Sequence, residues 1–389
     1  MRSFGSWCHD SRHDPLGPFD YIYSVILSSI GVIIVGVTFV AATGAVRVAR
    51  SVGQRNSLLD LPNDRSSHQV PVPRLGGAAF VPVILLVLAG FNRAGPASGL
   101  VWAAVAGAAA LYAVSLVDDL QPLPTGIRFG VQFAVAALIL GVALGSLQTL
   151  ASGWTGTLSA WLQPGSVGYW ILALWFVGLI NVYNFMDGID GIAGLQAVVA
   201  GATWAIIGTV LRLPTVQLVG AVVAAAAVGF LTLNWHPAKI FMGDAGSTVL
   251  GFFFATLPFL ATVEAGGKLD LVRSLTIGAI LVWPFLADGI FTFLRRLKNR
   301  ENVLQAHRSH LYQRLVIAGH SHTRVTVTYG CLAVLGAVLA LPLIKPSSQG
   351  GSPVPAALGV LAAAFLALWR WTVVSEQARR GGPAPKARG

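Results

Sequence analysis

Residues 168–194 read GYWILALWFVGLINVYNFMDGIDGIAG, and this stretch changes from apolar to polar partway along. Residues 168–185 form an apolar run of about the length that a membrane-spanning helix needs. Asn181, Asn184 and Asp187 follow one another at spacings of three, so a helix would align them along one face. Because polar groups at membrane depth are costly, the pattern predicts a functional site at one end of a membrane helix.

The whole chain has the composition of a polytopic membrane protein. Of its 389 residues, 55% are hydrophobic and 11% are charged, whereas about a quarter of the residues in a soluble domain are charged. Eleven apolar runs are candidates for membrane spans, at residues 22–46, 75–92, 98–117, 128–151, 168–185, 191–212, 215–235, 246–263, 270–294, 324–344 and 353–375. We therefore predict an all-α polytopic integral membrane protein with about 11 transmembrane helices. Its single domain covers residues 21–375, between an N-terminal extension at 1–20 and a basic tail at 376–389.

The basic residues predict the orientation of this domain. Of the 26 lysines and arginines, 19 fall in alternate connecting segments and in the C-terminal tail. Cytoplasmic loops carry such an excess, so the N-terminus is predicted to be periplasmic and the C-terminus cytoplasmic. The net charge of +11 is then mainly an orientation signal, and we expect no nucleic-acid partner. The two cysteines have no metal-ligand spacing, which argues against a disulfide scaffold or a zinc ribbon.

Aspartates collect at the predicted cytoplasmic ends of the helices. They are Asp118, Asp119, Asp187, Asp190 and Asp244. The adjacent carboxylates of Asp118 and Asp119 repel each other, and a bound cation or a shared proton relieves that repulsion. Asp244 begins a predicted helix, where the helix dipole favours an anion. Short loops bring the five aspartates together, so we expect one cluster.

Amide, aromatic and basic side chains accompany the aspartates. Asn234 and Phe241 precede Asp244, and Phe241 offers an aromatic face for a base. A basic loop holds His307, Arg308 and His310, and an earlier loop holds Arg74, all of them potential partners for phosphate. Hard oxygen ligands beside phosphate-binding groups suit Mg²⁺-dependent phosphoryl transfer at the cytoplasmic membrane face. The chain contains no Walker loop, GxSxG or HExxH motif.

Four motifs in combination resemble the polyprenyl-phosphate N-acetylhexosamine-1-phosphate transferase family. They are Asp118-Asp119, NxxNxxDGxDG from Asn181 to Gly191, FMGDAGS from Phe241 to Ser247, and HRSH from His307 to His310. The resemblance covers about residues 20–375. The family includes the initiating transferases of O-antigen and enterobacterial common antigen synthesis and the phospho-MurNAc-pentapeptide transferase.

The resemblance implies a reaction and a location. Undecaprenyl phosphate would attack the sugar-side phosphorus of a UDP-N-acetyl sugar, giving polyprenyl-diphosphate-sugar and UMP. The enzyme would lie in the bacterial inner membrane with its active site facing the cytoplasm, and it would use Mg²⁺, with Mn²⁺ as an alternative. A homodimer is compatible with the resemblance.

The resemblance also implies a role for each site residue. Asp118 and Asp119 would be catalytic, and since a phosphate monoester is already largely ionised at pH 7, positioning the lipid phosphate is the larger role expected of them. Asp244 and Asn184 would hold the metal. The nucleotide sugar would contact Asn181, Asp187, Asp190, Asn234 and Phe241. The phosphates would contact His307, Arg308, His310 and Arg74.

The basic loop indicates a branch of the family. HRSH stands where the peptidoglycan enzyme has consecutive histidines, which favours the O-antigen type of transferase acting on UDP-GlcNAc, UDP-GalNAc or a 6-deoxy relative such as FucNAc or QuiNAc. The phospho-MurNAc-pentapeptide transferase is the alternative within the same chemistry. A membrane transporter is the alternative from another class, although transporters place charged groups near the midplane, between repeated halves of the fold. Here the acids gather at one face, and the sequence has no internal repeat.

Overall fold

A computed structural model describes residues 18–60, 70–92, 94–150, 163–267, 269–302, 307–345 and 352–381. Its helices are α1 (Pro18–Arg55), α2 (Gly76–Phe91), α3 (Ser98–Leu120), α4 (Thr125–Leu150), α5 (Val167–Phe185), α6 (Ile192–Leu211), α7 (Pro214–Asn234), α8 (Asp244–Ala265), α9 (Leu271–Leu281), α10 (Trp283–Lys298), α11 (Leu311–Ile317), α12 (His322–Ala340) and α13 (Val354–Gly381), with a 3₁₀ turn at Leu341–Ile344. Strands β1 (Leu59–Asp60) and β2 (Val72–Pro73) pair antiparallel, with Leu59 opposite Pro73. The all-α polytopic fold is confirmed.

Nine helices within the described ranges are long and apolar enough to cross a membrane. They are α1, α3 to α8, α12 with its 3₁₀ extension, and α13. Helices α9 and α10 meet the same test only as a pair, bent by 81° at their junction. Helix α2 has 16 residues and is shorter than a full span. Each of the eleven predicted runs thus overlaps a described helix, and the number that cross the membrane stays a prediction.

The terminal helices extend beyond both predicted ends of the membrane domain, from Pro18 in α1 to Gly381 in α13. Residues 1–17 of the predicted extension and 382–389 of the predicted tail lie outside the described residues. Helix α13 continues to Gly381, beyond the predicted start of the tail at residue 376. In this last part of α13 Glu376 accepts two hydrogen bonds from Arg314, each of 2.7 Å. The first part of the predicted tail therefore packs against α11, which follows the basic loop.

Helix α8 is the centre of the bundle. Its apolar stretch is entirely buried, and α2, α3, α5 and α9 pack around it. A helix that is apolar on all sides can lie in lipid or in a protein core, and here the neighbouring helices place α8 in the core. Because α8 begins at Asp244, this carboxylate lies in the middle of one end of the bundle.

The segment before α8 is fixed by backbone pairing with the segment before α2. The Phe241 N–H donates to the Pro73 carbonyl at 2.8 Å, and the N–H of Gly77 donates to the Met242 carbonyl at 2.7 Å. The two helices approach so closely here that a Cβ atom on Gly77 would lie 2.1 Å from the backbone nitrogen of Gly246. This close approach sets the position of the N-terminus of α8.

We expect Gly77→Ala to destabilise the protein by about 1–3 kcal/mol, because the added methyl group meets backbone that cannot turn away. Gly90→Ala is the matched control in the same helix, since a Cβ atom there meets nothing within 4 Å. Thermal unfolding of the two purified variants in detergent measures the difference. Equal melting temperatures for both variants would show that α2 and α8 can separate without cost.

Candidate active site

Asp119 caps the N-terminus of the central helix α8. Its carboxylate accepts hydrogen bonds from the backbone N–H groups of Asp244, at 2.9 Å, and Ala245, at 3.0 Å. Its side chain is only 3% exposed. Gly243 has φ +76°, and a Cβ atom on it would lie 2.8 Å from Asp119 Oδ2. Glycine at 243 therefore lets the carboxylate approach, and Asp119 fixes the backbone that carries Asp244.

Two arginines face the aspartates from the solvent side. Arg74 contacts Asp244 Oδ1 through Nη2 and lies 3.3 Å from Asp119 Oδ1 through Nε. Arg128 Nη1 lies 2.7 Å from Asp118 Oδ2 and 3.6 Å from Asp244 Oδ2. The arginine side chains are 44% and 38% exposed. The cluster of these aspartates and arginines is thus exposed to solvent at its two arginines, and a phosphate-binding site requires such accessible positive charge.

Sequence reasoning did not single out Arg128. The feature of the sequence that could have identified it is its position in the first turn of α4, where the helix dipole disfavours a cation. A basic residue in that place suggests an anionic partner, and Asp118 supplies one, ten residues earlier in the chain. Asp118 also accepts from the Leu123 N–H at 2.7 Å, so the loop between α3 and α4 holds one of its oxygens and the first turn of α4 holds the other.

Asn184 and Ser247 complete the surroundings of Asp244. Asn184 Nδ2 donates to Asp244 Oδ2 at 3.3 Å, and Asn184 Oδ1 accepts from Ser247 Oγ at 2.6 Å. The residues fit a hard cation, because Asp244 and Asn184 adjoin and further carboxylates lie around them. The nitrogen of the Asn184 amide faces Asp244, and hydrogen bonding alone assigns this orientation. To offer its oxygen to a cation beside Asp244, the amide must rotate.

Asp187 lies within electrostatic range of this cluster. Burial raises the pKa of Asp187 well above the ordinary value of an aspartate, and the guanidinium of Arg74 offsets only part of that rise. The carboxylates of Asp244 and Asp119 raise the same pKa further. A cation bound among these groups would favour their ionised forms, which supports the fit of the site to a divalent metal.

The other predicted nucleotide-binding residues are spread around this cluster. Asn181 donates to Gln132 Oε1 and to the Val177 carbonyl, each at 2.7 Å, so it points along α5 toward α4. Asn234 is buried and bridges the Gly191 N–H, at 3.0 Å, and the Ile240 carbonyl, at 2.8 Å. Phe241 is half-buried in the paired segment before α8. Their contacts with a nucleotide stay predictions.

Asp190 lies in the same loop as Asp187, just before α6, and its ion-pair partners are two histidines. Its Oδ2 lies 2.6 Å from His236 Nδ1 and accepts from the Ala238 N–H at 3.1 Å. Burial by itself would raise the pKa of Asp190, but hydrogen bonds with His322 and His236 bring the pKa below its ordinary value. The structure therefore places Asp190 in a histidine cluster.

The HRSH loop packs against the loop that carries Asp187. His310 is buried, and its ring stacks on His307, with centroids 5.1 Å apart. Tyr312 donates to the Phe185 carbonyl at 2.9 Å. A Cβ atom on Gly188 would lie 2.1 Å from the Tyr312 hydroxyl, so only glycine permits this contact. The four motifs therefore converge at one end of the bundle, with Arg308 beside the two histidines.

A buried aspartate that sequence reasoning missed holds the HRSH loop. Asp288 of α10 is fully buried and accepts from the N–H groups of Leu311, at 2.8 Å, and Tyr312, at 3.2 Å. Tyr329 donates its hydroxyl to Asp288 at 2.6 Å, and His310 Nδ1 lies 3.3 Å away. The feature that could have identified it is an aspartate deep inside the apolar run 270–294, well away from its ends, which the cost of a charge in lipid marks as functional.

Comparison with known proteins identifies the family. Residues 101–262 match the profile named Glycosyl transferase family 4. The chain is 30% identical over 282 residues to a probable undecaprenyl-phosphate N-acetylglucosaminyl 1-phosphate transferase of Bacillus subtilis, covering 71% of this chain and 73% of that protein. It is 31% identical over 311 residues to a decaprenyl-phosphate N-acetylglucosaminephosphotransferase of Mycobacterium tuberculosis, covering 74% and 75%.

A third relative agrees with these two. The undecaprenyl-phosphate alpha-N-acetylglucosaminyl 1-phosphate transferase of Escherichia coli K12 is 27% identical over 302 residues, covering 74% of this chain and 78% of that protein. The matches span most of the membrane domain, in agreement with the family resemblance of the four motifs. The chain therefore belongs to glycosyl transferase family 4 and, within it, to the polyprenyl-phosphate N-acetylhexosamine-1-phosphate transferases.

Proposed function

We propose that this protein transfers an N-acetylhexosamine-1-phosphate from a UDP-sugar to undecaprenyl phosphate at the cytoplasmic face of the bacterial inner membrane. One observation carries the proposal. Asp118, Asp119 and Asp244 meet Arg74 and Arg128 at the N-terminus of the buried helix α8, beside the ends of spanning helices. A lipid phosphate and a soluble diphosphate can both reach such a place.

The reaction forms one bond and breaks one bond at the sugar-side phosphorus. An oxygen of the lipid phosphate attacks that phosphorus, and the bond to the bridging oxygen breaks, so that UMP leaves with the electron pair. The transition state spreads negative charge over the phosphoryl oxygens, and positioning with charge stabilisation supplies most of the rate enhancement in such reactions. Arg74 and Arg128 are exposed enough to turn from the aspartates toward those oxygens.

The remaining side chains of the cluster have separate tasks in this proposal. Asp118, held by Arg128 and the Leu123 N–H, positions the lipid phosphate. Asp119 has both oxygens in the cap of α8 and keeps Asp244 in place. The chemistry that Mg²⁺ would supply, held by Asp244 and Asn184, is neutralisation of the diphosphate charge. His307, Arg308 and His310 bind the diphosphate from the opposite loop.

N-acetylglucosamine is the first sugar to test, because the names of all three relatives specify it. A role in O-antigen or related glycan synthesis would follow from the lipid-linked product. A homodimer remains a prediction from the family resemblance.

Release of UMP tests the proposed function. We expect the purified protein, given undecaprenyl phosphate and a UDP-sugar, to release one UMP for each lipid-linked sugar formed. Excess chelator should remove this activity, and Mg²⁺ or Mn²⁺ should restore it, because the diphosphate charge is otherwise not neutralised. UDP-GlcNAc, UDP-GalNAc, the 6-deoxy sugars and UDP-MurNAc-pentapeptide form the panel of donors.

Three outcomes would contradict this function or its branch. Activity that persists in excess chelator would remove the role of the metal. Turnover of UDP-MurNAc-pentapeptide alone would assign the chain to the peptidoglycan branch. Uptake of a sugar into proteoliposomes without release of UMP would favour a transporter.

A further inference from the structure

The ends of three separate elements meet in a cluster of one carboxylate and two imidazoles. Asp190 lies before α6, His236 in the connection from α7 to α8, and His322 at the start of α12. His236 Nδ1 lies 2.6 Å from Asp190 Oδ2, and His322 Nδ1 lies 3.4 Å from Asp190 Oδ1. The centroids of the two imidazole rings are 5.2 Å apart. One ligand atom from each residue lies within 4.8 Å of the other two.

This donor set differs in kind from that of the Asp244 centre. Imidazole nitrogen suits zinc and other late transition metals, whereas Mg²⁺ takes oxygen ligands. Two histidines with one carboxylate are a recurrent ligand set for Zn²⁺, which keeps a fourth position for water or a further ligand. These donor atoms therefore favour a different class of ion from the one expected at Asp244.

The surrounding contacts orient the three residues, and a bound ion would replace the 2.6 Å hydrogen bond between His236 Nδ1 and Asp190 Oδ2. The Asp190 carboxylate accepts from the Ala238 N–H at 3.1 Å, and its backbone carbonyl accepts from Thr326 Oγ1 at 2.8 Å. Ser321 Oγ caps α12 through the N–H of Arg324, which fixes the turn that carries His322. Such outer contacts orient ligands before a metal binds.

The cluster is buried at Asp190 and His322 and exposed at His236. The side chains of Asp190 and His322 are 9% and 11% exposed, and that of His236 is 41% exposed. An ion can therefore enter past His236 and keep a water ligand there.

We propose that Asp190, His236 and His322 bind one divalent transition-metal ion of the zinc class, at a site separate from the Asp244 centre. The ion joins the loop of the NxxNxxDGxDG motif to the connection before α8 and to α12. Its effect is to stabilise the arrangement of these three elements.

Metal binding by the full chain tests the proposal. The protein is purified in detergent with an affinity tag that contains no histidine, stripped with chelator, and titrated with Co²⁺ and then Zn²⁺. We expect one equivalent of Co²⁺ with visible d–d absorption, displaced by Zn²⁺ and unaffected by excess Mg²⁺. His322→Ala and Asp190→Asn should lose that equivalent, and Zn²⁺ should raise the melting temperature of the wild type but not of these variants.

Controls separate metal binding from folding and from other histidines. His320→Ala removes a nearby histidine whose Nε2 contacts Ser375 Oγ at 2.8 Å, outside the cluster, and it should retain the bound ion. His236→Gln removes an exposed imidazole while leaving an amide to bond with Asp190, so it should fold and elute like the wild type yet lose the equivalent. Failure of the wild type to bind Co²⁺ or Zn²⁺, or equal binding by His236→Gln, would leave only a hydrogen-bonded cluster and overturn the proposal.

Discussion

Asp244→Asn is expected to lower UMP release by about 100-fold or more, the size of effect seen when one preorganised charge-stabilising group is removed. The asparagine keeps the shape of the side chain but removes the charge that faces Arg74 and Arg128. The backbone of residue 244 stays capped by Asp119, so the fold should persist. Rates of UMP release and elution from a sizing column measure the two properties on one preparation.

Asp270→Asn is the matched control for this substitution. Asp270 also stands at a helix N-terminus, where it accepts from the Arg273 N–H at 2.9 Å, but it lies beyond the far end of α8 and its side chain is 58% exposed. We expect wild-type activity from it. If Asp244→Asn kept more than about a tenth of the wild-type rate, the assignment of Asp244 to the metal and phosphate site would be wrong.

Asp288→Asn is expected to destabilise the protein by about 2–3 kcal/mol and to weaken binding of the UDP-sugar. The carboxylate accepts from several groups and is fully buried, whereas an amide supplies one acceptor and turns an NH₂ group toward other donors. The loss releases the backbone at Leu311 and the ring of His310. The melting temperature and the KM for the UDP-sugar measure the two consequences.

Tyr329→Phe separates the structural part of this effect. It removes only the hydroxyl that donates to Asp288 at 2.6 Å and leaves the contacts with Leu311 and His310 in place. We expect a smaller loss of stability and an unchanged KM. The same rise in KM in both variants would mean that Asp288 acts through general stability, without a specific role in holding His310.

The paired aspartates illustrate how far a motif can be interpreted without the fold. The sequence places Asp118 and Asp119 together and suggests a shared task, but adjacent residues of a helix point about 100° apart. In the structure Asp118 faces Arg128 and Asp119 faces the N-terminus of α8. The sequence could not assign these partners, because Asp119 and Asp244 are separated by 125 residues.

Asp190 shows the same limit in another way. Its place in the NxxNxxDGxDG motif suggested contact with the nucleotide, and its histidine partners come from two segments outside the four motifs, 46 and 132 residues away. His236 and His322 are themselves 86 residues apart in the chain. Only the packing of α6, α7 and α12 brings their rings to one carboxylate.

The sequence by itself determined that this is an all-α membrane protein with acids at one face, and its motifs indicated the family. These are local properties, because the length of an apolar run and the position of a charge in it are set by the bilayer thickness and the cost of a charge in lipid. The tertiary structure alone decided which helix lies at the centre, which arginine meets which aspartate, and that Asp288 holds the HRSH loop. Those contacts depend on close packing between distant segments, as where Gly77 meets Gly246, and apolar composition alone does not determine which helices are neighbours.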